Sequence, residues 1–365
     1  MPVLGCDSSL GGKGSVRGPN AMTNRLRSID VLRGVAAAAV MAFHYEGMLS
    51  LEWSNYWSDL KAEHFHLGLM GVELFFILSG FVILLTLEKT YDLYRFVVGR
   101  IARLYPAYIV SVLLSAAFLL SIDAATPLQA VVNITMLQKF VGFQNLISPY
   151  WTLTYELLFY AVMGIIFQLG FVNKIEYLSI IWLLAAHFTR MINIELSAWQ
   201  SFASMINFGH LFIAGMMIFR LVSGHRSLVT LSALMLAVSY SSFGRNDWAQ
   251  IPPATYFCVN AAFIAIVWWA AAASARQSTC LVSIGELSYS LYLLHVPVCL
   301  MLIWSADLLL LWRSFAISLA VPVSFGLAYL SRRFIEIPGR IYIAEVVFGG
   351  LRHAWASIER GKDNQ

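Results

Sequence analysis

The stretch Leu32 to His44 reads LRGVAAAAVMAFH, an apolar run with Arg33 near one end and His44 at the other. On a helix of 3.6 residues per turn the two side chains share one face and lie about 16 Å apart along the axis. Each alone has an ordinary role, since an arginine near a span end can snorkel to headgroups and a histidine can bond a neighbouring helix. Ionisable groups inside a membrane are costly, however, and mark functional sites. The pair is therefore a candidate for binding and chemistry at two depths of one helix.

Other ionisable residues interrupt apolar stretches in the same way. Glu73 lies in GVELFFILSGFVI, Glu156 in WTLTYELLFY and His295 in SYSLYLLHVP. A lone buried carboxylate costs several kcal/mol unless it is paired or protonated, so these groups predict a polar cavity shared between helices. Glu156 is expected at the outer start of its span. If it faces the cavity, it should reach His44 or a buried arginine; the alternative is a solvated charge at the headgroups.

A cluster of cations occurs in YRFVVGRIARLYP, which contains Arg95, Arg100 and Arg103. Arg100 and Arg103 are three residues apart and face the same way on a helix. Ordinary positive-inside charge explains cations at this place, but guanidinium groups also bind phosphate in bidentate fashion. The segment predicts a phosphate-binding cluster beside a helix that starts at Tyr105 and Pro106.

The elements that hold these residues must be membrane-spanning helices. Of 365 residues, 59% are hydrophobic and only 12% are charged, and the mean hydropathy is +0.71, whereas soluble domains carry about 25% charged residues. A span needs roughly 20 mostly apolar residues. Ten such runs predict an all-α integral membrane protein: 29–48, 68–87, 104–122, 150–169, 174–190, 203–222, 228–242, 254–273, 284–305 and 312–331. Residues 127–140 are expected to form a surface helix.

The distribution of Lys and Arg predicts the orientation. With the N-terminus in the cytoplasm, ten spans leave only five cations outside: Lys61, Lys139, Arg190, Arg245 and Arg313. Both termini are therefore expected to be cytoplasmic. The expected organisation is a disordered tail over 1–24, a transmembrane domain over 25–340 and a cytoplasmic tail over 341–365.

The sequence resembles the membrane-bound acyltransferase-3 family from about residue 25 to 340. Six motifs in order carry the resemblance: Arg33 with His44, GVELFFILSGF with Glu73, the stretch Gly99 to Tyr108, WTLTYELLFY with Glu156, LSYSLYLLHVP with His295, and FIEIPGR with Glu336. The family O-acylates carbohydrates and related acceptors. The resemblance implies transfer of an acyl group, above all acetyl, from cytoplasmic acyl-CoA to a hydroxyl group.

The resemblance also implies roles for individual residues. It assigns the CoA donor to Arg33, Arg100, Arg103 and Tyr105, the chemistry to His44 with Glu156 and Glu73, and the acceptor to Trp151, Tyr292 and His295. His44 can act as a general base or as a nucleophile that carries the acyl group, and both roles stay open. No metal is expected, because the four cysteines show no metal-ligand spacing.

Two alternative functions were weighed against acyl transfer. A proton-coupled secondary transporter of a sugar or metabolite would also need intramembrane Glu and His, and a scaffold of polysaccharide assembly would leave the buried charges unexplained. We expect a location in the bacterial cytoplasmic membrane and no nucleic-acid partner. The acceptor, whether polysaccharide, lipid-linked saccharide, glucan or small metabolite, stays open, as do the acyl length and the oligomeric state.

Overall fold

The computed structural model describes residues 19–50, 65–90, 92–191, 200–243, 251–273 and 278–347. Within these ranges the chain forms α-helices and short 3-10 and π segments, with no β-strand. The helices are α1 Pro19–Gly47, α2 Gly71–Lys89, α3 Leu93–Ser121, α4 Pro127–Asn133, α5 Tyr150–Gln168, α6 Ile175–Met191, α7 Gln200–Val222, α8 Leu228–Tyr240, α9 Pro253–Ala273, α10 Thr279–Leu308 and α11 Arg313–Ser331. Each of the ten apolar runs coincides with one of these helices, and α4 is the extra one.

Six helical stretches are long and apolar enough to cross a membrane: Leu67–Lys89, Leu93–Ser121, Tyr150–Gln168, Pro253–Ala273, Thr279–Leu308 and Arg313–Val347. Two shorter apolar helices occur at Phe208–Val222 and Leu228–Phe243. The all-helical, multi-pass membrane architecture expected from the sequence is confirmed for the described part of the chain. The number of ten spans and the cytoplasmic termini stay predictions.

The two ends of the described chain are helical. Helix α1 begins at Pro19, within the segment expected as the N-terminal tail. At the other end, α11 continues through a π segment, Arg332–Glu336, into a helix that runs to residue 347. Residues 1–18 and 348–365 lie outside the described residues, so the tail boundaries stay predictions.

Helix α3 starts earlier than the sequence indicated. It begins at Leu93, where the side chain of Asp92 accepts a hydrogen bond from the backbone N–H of Tyr94 at 3.1 Å. The expected start at Tyr105 and Pro106 was therefore wrong, and Pro106 lies inside the helix. A proline removes one backbone bond, whereas leaving the helix would expose several backbone groups to hydrocarbon. Arg100 and Arg103 consequently lie on a continuous helix.

The segment between α3 and α5 folds back along α3. Tyr105 donates a hydrogen bond to the Thr135 carbonyl at 3.2 Å, and Tyr108 donates one to the carbonyl of Asn133, which is fully buried. Tyr105 lies sixteen residues before the end of α3 at Ser121, a distance of about 24 Å along the helix. The expected surface helix over 127–140 is thus helical only in part and is tucked against the bundle, where protein contacts satisfy its backbone.

As a result α5 begins halfway along α3. The Tyr150 hydroxyl lies 2.8 Å from Ser111 Oγ, while a Cβ atom on Gly164 would lie 3.4 Å from the Leu93 side chain. The two helices therefore run antiparallel, which brings Glu156 level with the middle of α3. Its expected position at the outer start of a span stays a prediction, but α5 begins beside the middle part of α3 and not at the end of that helix.

Helices α1 and α10 pack closely and in parallel. A Cβ atom on Gly34 would lie 3.0 Å from the backbone nitrogen of Gly285, and one on Gly285 would overlap the Asp30 carbonyl. His295 follows His44 by 251 residues, and Gly285 follows Gly34 by the same interval. Since the offset is equal at both contacts, the helices run in one direction and in register. The glycines let the backbones approach and so bring the two histidines together.

Candidate active site

The buried core of the bundle contains a pair of histidines. His44 on α1 is 3% exposed and His295 on α10 is fully buried. His44 Nδ1 lies 3.2 Å from His295 Nε2 and 2.9 Å from the Val40 carbonyl. His295 Nδ1 lies 3.1 Å from the Leu291 carbonyl. Each imidazole is therefore fixed by a carbonyl one turn earlier on its own helix and by the other ring.

These contacts assign the tautomers of the neutral rings. A carbonyl oxygen only accepts, so Nδ1 of each ring carries the proton that it donates to its carbonyl. His295 Nε2 is then an acceptor, and it shares the single Nδ1–H of His44 with the Val40 carbonyl. His44 Nε2 keeps its lone pair, and among the described residues it has no hydrogen-bond partner. This atom can accept a proton from a reacting group.

A cavity of about 50 Å³ lies between five helices, α1, α2, α3, α5 and α10. Its lining is Arg33, Val72, Phe75, Phe76, Ser79, Arg103, Leu104, Thr152, Leu153, Glu156, Tyr289 and Tyr292. The sequence placed Arg33, Arg103, Glu156 and Tyr292 in the site, and the structure brings these four together.

The register of α1 and α10 orders this cavity along its length. Tyr292 aligns with α1 about 12 Å beyond Arg33, and the histidine pair lies roughly one turn further. The Tyr292 ring is 5.9 Å from the ring of His295, and its hydroxyl lies 2.8 Å from Thr152 Oγ1. We call the lining around Arg33 and Arg103 the arginine end, and Tyr292 together with the histidine pair beyond it the histidine end. Neither histidine is among the described residues that line the cavity.

The arginines at the arginine end differ in their partners. Arg33 lies 3.8 Å from Asp30 Oδ1, and its side chain is 19% exposed. Arg100 does not line the cavity; its guanidinium lies 5.7 Å from the centre of the Tyr160 ring. Its Nε atom is buried without a hydrogen-bond partner among the described residues. The arginine end thus has two cations in the cavity lining, Arg33 and Arg103, and a third, Arg100, behind the Tyr160 ring.

Glu156 lies between the two ends, one turn along α5 from Thr152. Its Oε1 accepts a hydrogen bond from Ser79 Oγ at 3.2 Å and a second from the Tyr160 hydroxyl. The expectation that Glu156 faces the cavity holds for the geometry, since it lines the cavity with Arg33 and Arg103. A cavity-facing Glu156 was expected to reach His44 or a buried arginine. Neither contact occurs among the described residues, where its partners are Ser79 and Tyr160.

Besides Arg100 and the two histidines, three expected site residues lie away from the cavity lining. Glu73 is fully buried on α2. Tyr105 is bound to the folded-back segment through Thr135. Trp151 packs at 5.5 Å from Phe208. None of the three is among the described residues that line the cavity.

Several lining or supporting residues were not anticipated from the sequence. Tyr160 follows Glu156 by four residues, the spacing at which helical side chains meet, so this partner had a local signal. Ser79 on α2 and Tyr289 on α10 had none, since their roles depend on which helices are neighbours. Tyr289 donates to the Leu104 carbonyl at 2.7 Å and joins α10 to α3.

The described helices thus form a membrane bundle in which a buried histidine pair lies next to an arginine-lined cavity. The chain belongs to the acyltransferase-3 family: the family's sequence model, described as an acyltransferase domain, matches residues 26–332. No curated protein and no solved structure matched the chain. The protein is therefore a membrane acyltransferase, and family membership favours acyl transfer over the transporter alternative.

Proposed function

We propose that the protein is an O-acetyltransferase of the bacterial cytoplasmic membrane. It transfers an acetyl group from cytoplasmic acetyl-CoA to a hydroxyl of a carbohydrate or lipid-linked saccharide. The observation that carries this proposal is the order of groups along the bundle. Two arginines line one end of the cavity and Tyr292 lines the other, with the His295 ring 5.9 Å from the Tyr292 ring and His44 bonded to His295. A donor with anionic phosphates, a long neutral arm and a reactive thioester has the same order.

In this proposal the arginine end binds the phosphates of CoA. Arg33 and Arg103 line the cavity and contact the phosphates, and Arg100 adds charge from behind the Tyr160 ring. Guanidinium groups suit phosphate because they donate in a planar fork. The pantetheine arm follows the apolar wall formed by Val72 and Leu104 and brings the thioester to Tyr292.

At the histidine end, His44 Nε2 removes the proton of the acceptor hydroxyl. The oxygen attacks the thioester carbonyl, the C–O bond forms, the C–S bond breaks, and the CoA thiolate takes the proton back from the imidazolium. His295 holds the Nδ1 proton of His44 and so keeps Nε2 free for this step. In the alternative, Nε2 itself attacks and carries the acetyl group as an acyl-imidazole.

An acetyl donor suits the space near Tyr292. The Phe75 and Tyr292 rings meet edge to face at a centroid distance of 5.5 Å, and the Tyr292 hydroxyl is held by Thr152 and by the Pro149 carbonyl at 3.2 Å. We expect a ring that is held through its hydroxyl and packed against Phe75 to leave little room for a long acyl chain. We therefore propose that acetyl is preferred to longer groups.

The remaining candidate residues take modest roles. Glu156 sets the charge balance of the arginine end, as the partner of Tyr160 and Ser79. Glu73, Tyr105 and Trp151 support the walls around the cavity. The oligomeric state does not enter the proposal.

Two measurements test the proposal. The purified protein in liposomes is supplied with radiolabelled acetyl-CoA and a surface-glycan extract of its host, and label in the glycan fraction is counted. Mass spectrometry then compares surface glycans of cells with and without the protein. We expect label transfer and a mass difference of one acetyl group. Absence of both, with protein that still binds CoA, would contradict the proposal.

A further inference from the structure

A proline interrupts α10 directly beside the buried histidine. Pro297 lies inside the helix, two residues after His295. Proline has no N–H, so the carbonyl four residues earlier, that of Leu293, loses its helical hydrogen bond. An unpaired carbonyl in an apolar interior costs free energy, and the turn that carries it loses a restraint.

A serine of another helix replaces the missing donor. Ser111 on α3 donates a hydrogen bond from Oγ to the Leu293 carbonyl at 2.8 Å. The serine is fully buried, and its Oγ also lies 2.8 Å from the Tyr150 hydroxyl at the start of α5. The turn that ends at Pro297 is therefore tied to α3 and α5.

The opposite side of this turn is held from α1. The Tyr45 hydroxyl lies 3.2 Å from the His295 carbonyl and 2.7 Å from Ser324 Oγ on α11. Tyr45 directly follows His44 in the chain. The backbone around His295 is thus fixed by one hydroxyl from the side of its partner histidine and by one, that of Ser111, from the far side.

We infer that Ser111 is a positioning residue for the histidine pair. Ser111 donates a hydrogen bond to the Leu293 carbonyl and so holds the turn that carries His295. In this position His295 Nε2 accepts a hydrogen bond from the Nδ1–H of His44. Without the serine hydroxyl, the turn relaxes and the tautomer of His44 is less well fixed. This inference rests on the proposed function, because it assigns the pair a role in proton transfer.

The kinetic test compares two serines on one helix. Ser115 lies one turn along α3, is also fully buried, and contacts the same tyrosine at 3.3 Å, but it does not bond to α10. We expect Ser111→Ala to lower kcat roughly fivefold to tenfold, the equivalent of one lost hydrogen bond, with KM for acetyl-CoA within about twofold. Ser115→Ala should leave both nearly unchanged. Equal losses in the two variants would overturn the inference.

Repeating the Ser111→Ala change in a Pro297→Ala variant tests whether Ser111 acts through the Leu293 carbonyl. Pro297→Ala restores a backbone N–H that can bond to Leu293, so the Ser111 hydroxyl becomes redundant. We expect Ser111→Ala to cost at most about twofold in kcat in this background, against fivefold to tenfold in the native one. An undiminished loss would mean that Ser111 does not act through Leu293.

A spectroscopic measurement needs no turnover and separates this inference from the proposed function. Nitrogen-15 spectra of histidine-labelled protein in liposomes report which ring nitrogen is protonated, with His44→Gln and His295→Gln assigning the signals. We expect Ser111→Ala, but not Ser115→Ala, to shift the signals of His44 Nδ1 and His295 Nε2. If activity is absent and the shift occurs, the proposed function fails and the positioning holds. Unshifted signals in Ser111→Ala would overturn the positioning whatever the activity.

Discussion

The arginine end and the histidine end differ in the exposure and the partners of their ionisable side chains. At the arginine end, Arg33 remains 19% exposed and has Asp30 as a neighbour. At the histidine end, His44 and His295 are 3% and 0% exposed and are bound to carbonyls and to each other. The Arg33 side chain thus stays partly exposed and next to a carboxylate, whereas both imidazoles are buried among neutral partners.

This difference follows from the cost of desolvation. A guanidinium group is always charged, and burying it without a partner is expensive, so it lies where water or an anionic ligand can reach it. An imidazole can be buried neutral, and a neutral ring is the form that accepts a proton. The comparison predicts that changes at the arginine end alter donor binding and changes at the histidine end alter turnover.

The largest effect is expected at His44. His44→Gln keeps a polar side chain but removes the Nε2 lone pair of the ring, so turnover should fall by about a factor of 100 to 10,000, the usual contribution of a general base. The affinity for CoA should stay within about twofold. Initial rates with acetyl-CoA and calorimetric titration of CoA check the two quantities.

His187→Gln is the matched control for this change. His187 also bonds a carbonyl one turn earlier, at 2.8 Å, but its Nε2 contacts Ser239 on α8, and it is not part of the histidine pair beside Tyr292. The His187→Gln variant should keep the turnover of the native protein. If His44→Gln loses CoA affinity together with turnover, the two ends are not separate sites.

The features predicted correctly from the sequence are those that depend on local spacing. Apolar runs located the helices, and the spacing of Arg33 and His44 placed them at two depths of one helix. The pairing of His44 with His295 could not be predicted, because it depends on the close approach of Gly34 and Gly285 between helices far apart in the chain.

The position of Glu156 shows the same limit. Glu156 is half-buried and faces the cavity, as one of the two alternatives required. Its level along α3 was not anticipated, because a hydropathy pattern does not show where neighbouring helices begin relative to each other. Tyr150 begins α5 at the level of Ser111, and no local pattern reveals a segment that folds back. The carboxylate consequently belongs near the arginines and not beside His44.

The next largest effect is expected at the arginine end. Arg103→Ala should weaken CoA binding by about 10- to 100-fold, since a hydrogen bond to a charged group contributes about 1.5–3 kcal/mol. The maximal rate at saturating acetyl-CoA should change little. Arg333→Ala removes the same charge from an exposed site bonded to Tyr329 and should leave CoA affinity intact. If Arg103→Ala and Arg333→Ala bind CoA with equal affinity, the donor does not bind at the arginine end.

A smaller effect is expected where the two ends meet. Phe75→Ala removes the ring that packs against Tyr292 and opens space beside the thioester position. The ratio of kcat/KM for butanoyl-CoA to that for acetyl-CoA should rise by roughly tenfold, because each methylene in an apolar pocket contributes about 1–3 kcal/mol. Phe118→Ala changes a ring that packs on Trp304, outside the lining, and should leave the ratio unchanged. An unaltered ratio in Phe75→Ala would mean that another wall limits acyl length.

The smallest effect, at Glu156, best separates the two ends, because this carboxylate was first expected to act on the imidazole. It lines the cavity beside Arg33 and Arg103 and accepts from Tyr160 and Ser79. Glu156→Gln keeps an acceptor for both hydroxyls and removes one negative charge. Since CoA phosphates at this end are repelled by that charge, removing it should tighten CoA binding by roughly twofold to threefold, about 0.5 kcal/mol for charges about 8 Å apart in a water-like dielectric.

Turnover at saturating donor should stay within about twofold in this variant, because no bond links Glu156 to His44. Tyr160→Phe is the control, since it removes a hydroxyl partner while the charge remains, and it should not tighten CoA binding. Calorimetry at low and high salt sharpens the result, because an effect of charge shrinks as ions screen it. The opposite pattern, a large fall in turnover with unchanged CoA affinity, would return Glu156 to the histidine end and make it the group that stabilises the charged imidazole.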